Sequence, residues 1–216
     1  FLNEFPTSPY AEKVSSYLVE VYMNTRSYDA ALKSIDRIAK PSAQILEAKQ
    51  KILFQLGTQS FANADFEQAL KYLNQSIAIG QYNRQTKADA YYWCGESYYR
   101  LNRMVEAARD FNAYLQLTTQ PNNEMYALAN YNLGYIAFHR KDYTQASNYF
   151  QKYIQLEKGE NATALADAYN RIGDCHLHVR NFEEAKQYYS QAEQMNTSSG
   201  DYSFYQLALV SGLQKD

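Results

Sequence analysis

A fixed period of about 38–39 residues is the feature that most constrains how this chain can fold. Five alanines recur at nearly equal steps along the chain, and five glycines keep the same rhythm. They are Ala31, Ala69, Ala107, Ala146 and Ala185, and Gly57, Gly95, Gly134, Gly173 and Gly212. A period of this size indicates one supersecondary unit copied along the chain. Since such a unit cannot bury its apolar face alone, neighbouring copies must stack.

Each copy predicts two helices, because apolar residues recur within it at intervals of three and four. Short polar turns such as Asn102-Arg103 and Lys141-Asp142 separate the two helices. So short a link makes the two helices antiparallel. The sequence therefore predicts an all-α solenoid built as a single array over residues 1–216. Its repeats fall at about 10–40, 48–80, 86–118, 125–157 and 164–196, with partial repeats at 1–6 and 203–216.

The small residues predict where the two helices of a pair touch. At Gly95, Gly134 and Gly173 the first helix should pass close to its own second helix, with the alanine as the matching small surface. A bulky residue follows four positions after each alanine. These residues are Ile35, Leu73, Phe111, Phe150 and Tyr189. We expect them to lock each pair through contacts of small against large side chains.

Composition excludes several functions. The chain carries 21 basic and 23 acidic residues, interspersed, with a formal net charge of −2. Without a basic run it is not expected to bind nucleic acid. No apolar stretch approaches the roughly 18–20 residues that span a bilayer, so no transmembrane segment is expected. The 22 tyrosines suit half-buried contacts, because the ring is apolar and the hydroxyl is polar.

These marks resemble the tetratricopeptide repeat, a helix–turn–helix of about 34 residues with aromatic, Leu-Gly, Tyr, Ala and Phe positions. The matching residues are Tyr91, Gly95, Tyr98, Ala107 and Phe111 in the third copy, Leu133-Gly134, Ala146 and Phe150 in the fourth, and Tyr169, Ile172-Gly173, Ala185 and Tyr189 in the fifth. The resemblance implies a right-handed superhelical α-solenoid. Val19 replaces the glycine in the first copy, and the longer period implies helices lengthened by a turn or longer links between pairs.

The opening run Phe5-Pro6-Thr7-Ser8-Pro9-Tyr10-Ala11 carries a second resemblance. It is similar to the link between repeats in bacterial cell-envelope proteins of the outer-membrane assembly lipoprotein and Tol–Pal partner type. This resemblance implies a bacterial periplasm or cell envelope, with the cytoplasm left open. It also suggests that residues 1–6 are the tail of a preceding repeat in a longer protein.

The family resemblance places a ligand groove along the first helix of each pair, at three positions of the repeat. Carried onto this sequence, those positions predict a partner-binding groove. Its residues are Phe54, Tyr92, Glu96, Arg100, Tyr131, Tyr135, His139, Asn170 and Asp174. Exposed aromatic rings suit a peptide with apolar anchors. The alternative is that Tyr92, Tyr131 and Tyr135 only pack neighbouring helices.

One branch of the family grips a peptide C-terminal carboxylate with Lys and Asn at fixed groove positions over three repeats. Here Asn132 and Arg171 match those positions, while Tyr92, Glu96 and Asp167 occupy the others. Because Glu96 and Asp167 would repel a carboxylate, the sequence argues against this mode of binding.

Catalysis finds little support in the sequence. His176 and His178 lie two residues apart, so on a helix they point about 200° apart and cannot share a metal ion. Cys175 has no defined nucleophile–base partnership and is expected to be a small buried hydrophobe. No phosphate-cradling glycine loop and no H-E-x-x-H motif is present. We therefore predict no enzyme activity, no cofactor and no metal.

Three functional hypotheses remain open at this level. The first is a bacterial envelope scaffold that holds a peptide or partner protein in the groove. The second is the peptide-sensing half of a larger regulatory protein. The third is self-association through the repeats.

Overall fold

The computed structural model describes residues 4–5, 8–38, 40–157, 161–198 and 200–213. Within these ranges the chain forms eleven α-helices and no β-strand, which confirms the all-α fold. The helices are α1 (Ala11–Asn24), α2 (Tyr28–Ile35), α3 (Ala43–Ala62), α4 (Phe66–Ile79), α5 (Arg84–Arg100), α6 (Met104–Leu117), α7 (Glu124–His139), α8 (Tyr143–Leu156), α9 (Ala162–His178), α10 (Phe182–Gln194) and α11 (Gly200–Leu213). The predicted partial repeat at 1–6 and the Pro6-Thr7 step of the opening motif fall largely outside the described residues.

The helices group into two compact units. Unit 1, Phe1–Thr119, contains the hairpins α1–α2, α3–α4 and α5–α6, and consecutive hairpins pack through α2 on α3 and α4 on α5. Unit 2, Gln120–Asp216, contains the hairpins α7–α8 and α9–α10 followed by α11, with α8 packed on α9 and α10 on α11. Each unit therefore repeats the stacking of helix pairs that the period predicts.

The first helix of a pair starts at an asparagine in three copies. The side chains of Asn83, Asn123 and Asn161 each accept a hydrogen bond from the backbone N–H three residues later. Such capping satisfies one of the N–H groups that a helix start leaves without a partner. These caps lie two or three residues before the predicted starts of their repeats. The first helices α5 and α9 therefore reach 17 residues each. Longer first helices thus account for part of the excess over the usual repeat length of the family.

The tight turn inside each pair has a residue in the left-handed region. Ala64, Asn102, Lys141 and Arg180 have φ between 59° and 63°. The next N–H donates to the carbonyl five residues earlier, as in the 3.0 Å bond from Asp142 N to Ala137 O. This closure is the Schellman ending of a helix, which normally favours glycine. A non-glycine residue there carries a conformational cost in every copy.

Four of the five hairpins that the structure describes close through a contact of glycine against a bulky side chain. A Cβ added at Gly95 would lie 2.8 Å from a ring carbon of Phe111, and one added at Gly134 would lie 2.8 Å from a ring carbon of Phe150. The same sixteen-position spacing joins the other pairs, Gly57 with Leu73 and Gly173 with Tyr189. The expected close approach is confirmed. The atoms nearest to the added Cβ belong to the bulky residue four positions after the alanine, which is the residue expected to lock the pair.

The five repeating alanines are fully buried and lie in the cores of their hairpins. In unit 1 the first core surrounds Ala31 with Ile35, Ile52 and other aliphatic residues. In unit 2 one core joins Ala146 to Phe150, and a smaller one joins Ala185 to Val210 of α11. These cores hold the first helices of the pairs in place.

The last helix, α11, is apolar on more than its packed face. Val210 is buried, whereas Phe204, Tyr205, Leu209 and Leu213 are exposed, Phe204 by 69%. These exposed apolar side chains could contact a second copy of the chain. Self-association through the repeats stays a prediction. Across the described residues, no helix combines the length and apolar character needed to cross a membrane.

Candidate functional site

We call the surface formed by the first helices of the pairs the A face, which in unit 1 is carried by α1, α3 and α5 and in unit 2 by α7, α9 and α11. Four predicted groove residues lie on the A face of unit 1. Phe54 and Glu96 are half-buried and Arg100 is exposed. Tyr92 is 4% exposed, and its hydroxyl donates to Glu96 at 3.2 Å. Arg100 and part of Glu96 are therefore accessible to a partner on unit 1, whereas the ring of Tyr92 is not.

Tyr92 is buried because it completes the α5–α6 hairpin. Its ring lies 5.8 Å from Phe111 and 5.4 Å from Tyr114, both in edge-on geometry. Trp93 stands beside it at 5.4 Å and contacts Phe61 of α3 at 4.9 Å. Of the two interpretations of Tyr92, packing between helices is the one that these contacts favour.

The five predicted residues of unit 2 divide by burial. Tyr131 and Tyr135 are half-buried on α7, and His139 is exposed at the end of that helix. Asn170 and Asp174 on α9 are only 1% and 5% exposed. Direct contact with a partner is therefore open to the α7 residues, while the two α9 residues lie inside the unit.

A group of tyrosines and carboxylates links α7 to α9, and we call it the Tyr–Asp cluster: Tyr131, Tyr135, Asp167, Arg171 and Asp174. Tyr131 and Tyr135 both donate their hydroxyls to Asp167 Oδ2, the Tyr131 bond at 2.7 Å. Their rings are 5.2 Å apart. Two neighbouring helices are thus joined by hydrogen bonds to a single carboxylate oxygen.

Arg171 occupies the centre of the Tyr–Asp cluster. Its Nε lies 3.6 Å from Asp167 Oδ1, and its Nη1 lies 2.8 Å from Asp174 Oδ2. Tyr189 of α10 and Tyr202 of α11 each donate to Asp174 Oδ1 at 2.7 Å. The guanidinium also lies 4.9 Å from the centre of the Tyr202 ring. Asp174 is therefore a structural carboxylate that ties α9 to α10 and α11.

Protonation states in the Tyr–Asp cluster follow from burial and charge. Burial, followed by the charge of Asp167, raises the pKa of Tyr131 well above its usual range. Burial and the hydrogen bond to Asp167 raise the pKa of Tyr135 in the same way. Burial opposes the charge on Arg171, but the carboxylates outweigh it and the pKa of Arg171 is raised. At neutral pH both tyrosines therefore remain hydroxyl donors and the arginine remains charged.

Asn170 is buried at the repeat position that tyrosine holds in the two preceding copies. Counting back one repeat from Asn170 gives Tyr131, and counting back one repeat from Ala192 gives Tyr153. In α7–α8 these two rings lie 4.8 Å apart. In α9–α10 the corresponding residues, Asn170 and Ala192, are smaller, and α11 packs beside them. Ser203 of α11 donates to Asn170 Oδ1 at 2.9 Å.

Sequence reasoning set Asp167 and Arg171 at groove positions only to argue against binding of a carboxylate, and it did not find Tyr202. Asp167, Arg171 and Asp174 fall at i, i+4 and i+7, which puts them on one face of a helix, so this acid–base–acid stripe was a usable signal. The approach of Tyr202 has no local signal, because it depends on how α11 packs against α9 and α10.

The described side chains offer little for catalysis or metal binding. Cys94 and Cys175 are buried and outside any disulfide, and burial raises the pKa of the Cys175 thiol to about 12. His176 stacks on Tyr188 and His178 on Tyr143, with ring centres 5.4 and 4.4 Å apart. Among the residues that the structure covers, no three His, Cys, Asp or Glu side chains gather as metal ligands would.

Helical hairpins repeated at a constant period, with a polar and aromatic A face, define an α-helical repeat protein of the kind that presents extended binding surfaces to proteins. Two family models described as tetratricopeptide repeat match residues 54–124 and 125–198. The chain belongs to the tetratricopeptide repeat family. Comparison with curated proteins gives no match.

Solved structures show the same fold. A crystal structure of MamA protein is 18% identical, with a TM-score of 0.59 over 90% of this chain and 97% of that one. BtubC (BKLC) from P. vanneervenii is 17% identical, with a TM-score of 0.61 over 92% of this chain and 85% of the other. YrrB, described as a TPR protein with an unusual peptide-binding site, is 14% identical, with a TM-score of 0.61 over 99% and 97% of the two chains.

Proposed function

We propose that this chain is a non-catalytic scaffold that holds a peptide or partner protein against the A face of unit 2. The observation that carries the proposal is the pair Tyr131 and Tyr135, whose rings are half-buried and whose hydroxyls are fixed on Asp167. Aromatic side chains held in one orientation lose little conformational freedom when a partner binds, so they suit a recognition surface.

Family membership and the fold support the same proposal. Tetratricopeptide repeats present extended binding surfaces, and YrrB, which shares this fold, is described as having a peptide-binding site. The accessible part of the proposed site in unit 2 is Tyr131, Tyr135 and His139, with Asp167 added from α9. Phe54, Glu96 and Arg100 form a separate accessible set on unit 1, and Tyr92, Asn170 and Asp174 support these surfaces from inside.

Site-specific photocrosslinking tests where a partner binds. The photoreactive residue p-benzoylphenylalanine would replace His139, which is exposed at the end of α7, or Asn148, which is exposed on α8. The two positions lie on the first and second helix of one hairpin, so they form a matched pair. We expect crosslinked protein adducts from His139 and none from Asn148 in cells of the source organism. Adducts from Asn148 alone would place binding on the second helices and contradict the proposal.

A second test separates the contribution of the rings from that of the hydroxyls. Tyr131→Phe with Tyr135→Phe keeps both rings but removes the two bonds to Asp167, whereas Tyr131→Ala with Tyr135→Ala removes the rings as well. If ring contact dominates, the alanine pair abolishes the His139 adduct and the phenylalanine pair reduces it only partly. Equal adduct yield from all forms would argue against this surface.

The bacterial envelope setting is the finer part of the proposal and is supported by the opening motif between Phe5 and Ala11. Fractionation of source cells followed by immunoblotting tests it. We expect the protein in the periplasmic or outer-membrane fraction, and recovery in the cytoplasmic fraction alone would contradict the setting.

A further inference from the structure

The Tyr–Asp cluster carries an excess of negative charge. Arg171 contributes one positive charge, which lies between the carboxylates of Asp167 and Asp174. The tyrosines around them stay neutral, because burial raises the pKa of Tyr131, Tyr135, Tyr189 and Tyr202. Burial raises the pKa of Asp174, and Arg171 and the hydroxyls of Tyr189 and Tyr202 oppose that rise. With Asp167 and Asp174 both ionised, one cation against two carboxylates leaves a net charge of about −1, which disfavours an incoming carboxylate or phosphate.

The two carboxylates differ in their access to solvent. The side chain of Asp174 is 7% exposed, whereas that of Asp167 is 27% exposed. Both tyrosine hydroxyls bind Oδ2 of Asp167, and Oδ1 lies 3.6 Å from Arg171 Nε, which is beyond hydrogen-bond distance. An ionised carboxylate offers about four acceptor sites over its two oxygens. Asp167 therefore keeps acceptor capacity at the oxygen that the tyrosines do not bind.

The rings beside Asp167 would also attract a positively charged group. Tyr131 and Tyr135 meet at 72° with their ring centres 5.2 Å apart, and both are half-buried. Their hydroxyls fix them next to the carboxylate. A cation within about 6 Å of the centre of a tyrosine ring is attracted by the negative face of that ring. A partly exposed carboxylate flanked by two such rings suits the binding of an ammonium or guanidinium group.

We propose that this edge of the Tyr–Asp cluster binds a lysine or arginine side chain of the partner peptide. The inference rests on the proposed function and specifies the class of peptide that the A face of unit 2 selects. Asp167 supplies the hydrogen-bond acceptor and the charge, the two tyrosines supply the ring surface, and Arg171 holds Asp167 and Asp174 in position.

Selection from a random dodecapeptide phage library on the immobilised chain tests the proposal. We expect the enriched peptides to share a lysine or arginine. Replacing that residue with glutamine in a synthetic peptide should weaken binding to the wild-type chain by about tenfold or more, as measured by fluorescence anisotropy. The same replacement should weaken binding to Asp167→Asn by less than about twofold, because the acceptor charge is already absent.

Two further variants control the experiment. Glu184→Gln removes one exposed carboxylate from α10 and should keep the preference for a basic peptide in full. Asp167→Ser also removes the charge but keeps an oxygen that can accept from the tyrosine hydroxyls, and it should lose the preference as Asp167→Asn does, so the test survives if Asp167→Asn folds poorly by circular dichroism. Enriched peptides without a basic residue, or an equal tenfold loss on Asp167→Asn, would overturn the inference while leaving peptide binding intact. No enrichment of any peptide would overturn the proposed function and this inference together.

Discussion

Replacing Gly134 with alanine should destabilise the α7–α8 hairpin, because the added methyl group would meet the ring of Phe150. The new Cβ would lie 2.8 Å from Cε1 and 2.9 Å from Cδ1 and Cζ of that ring. Phe150 is fully buried, and its ring is held edge-on by Tyr131 and Tyr135 at 5.8 and 5.3 Å. The ring therefore cannot swing away without disturbing the surface proposed to bind the partner.

The net effect of Gly134→Ala is the difference between two opposed free energies. Alanine is favoured over glycine inside a helix by about 1 kcal/mol. Overpacking a filled core costs about 1–3 kcal/mol. We expect a net loss of about 1 kcal/mol in the free energy of unfolding, or a fall of roughly 2–4 °C in Tm for a chain of this size. Urea unfolding followed by both far-UV and near-UV circular dichroism measures it, since repeat arrays can depart from two-state behaviour.

Gly212→Ala is the matched control within the same chain. Gly212 occupies the same repeat position in α11, but in the part of the chain that the structure describes its added Cβ meets no atom within 4 Å apart from its own helix backbone. At this position the higher helix propensity of alanine should act without a steric clash, so Gly212→Ala should raise the free energy of unfolding by up to about 1 kcal/mol. In a Phe150→Leu background, Gly134→Ala should cost less, with a coupling free energy of about 1 kcal/mol. If Gly134→Ala stabilises the chain as much as Gly212→Ala does, the packing argument is wrong.

Three further predictions follow from buried or strained groups. Burial raises the pKa of Asp110 despite the nearby Arg109, so Asp110 binds its proton more tightly in the folded chain than in the unfolded chain. The free energy of unfolding therefore falls as the pH rises through the folded-state pKa of Asp110. Asp110→Asn should therefore raise the urea midpoint at neutral pH, and an equal gain at pH 3 would contradict this cause. Lys141→Gly should stabilise by about 0.5 kcal/mol, because relief of left-handed strain exceeds the extra entropy of an unfolded glycine, and an unchanged urea midpoint would argue against strain. Cys175, whose pKa burial raises to about 12, should react with iodoacetamide at pH 8 only after denaturation, and rapid labelling of the folded chain would show that the thiol is accessible.

Much of the fold could be predicted because each repeat forms the same antiparallel helix pair. The alanine and glycine periods set the number of hairpins in the described region, and the close approach at Gly134 followed from the need to pack small against large. Phe150 was also expected to lock this pair, but its direct contact with the glycine was not specified. A period shows which positions are small, but the residue sixteen positions later is the one that reaches the glycine, and that depends on the rotation of the second helix about its axis.

The candidate site was less predictable than the fold. The family positions found Tyr131 and Tyr135, which are accessible, and also Tyr92 and Asn170, which are buried. Burial at a given repeat position changes with the neighbouring helix, so a rule based on position alone could not separate them. The acid–base–acid stripe on α9 was present in the sequence, but only the structure shows that two tyrosines of α7 donate to its first carboxylate.

The helices, their antiparallel pairing and the family follow from local sequence alone, because each depends on short-range spacing: the period, the apolar pattern, the asparagine caps and the short turns. Tertiary packing sets which of the described tyrosines face solvent and which carboxylates they bind. A hydroxyl and a carboxylate 32 or 36 residues apart meet only when two helices take a particular separation and rotation. The side-chain packing of the whole unit sets both of those quantities, and no single segment of the sequence encodes them.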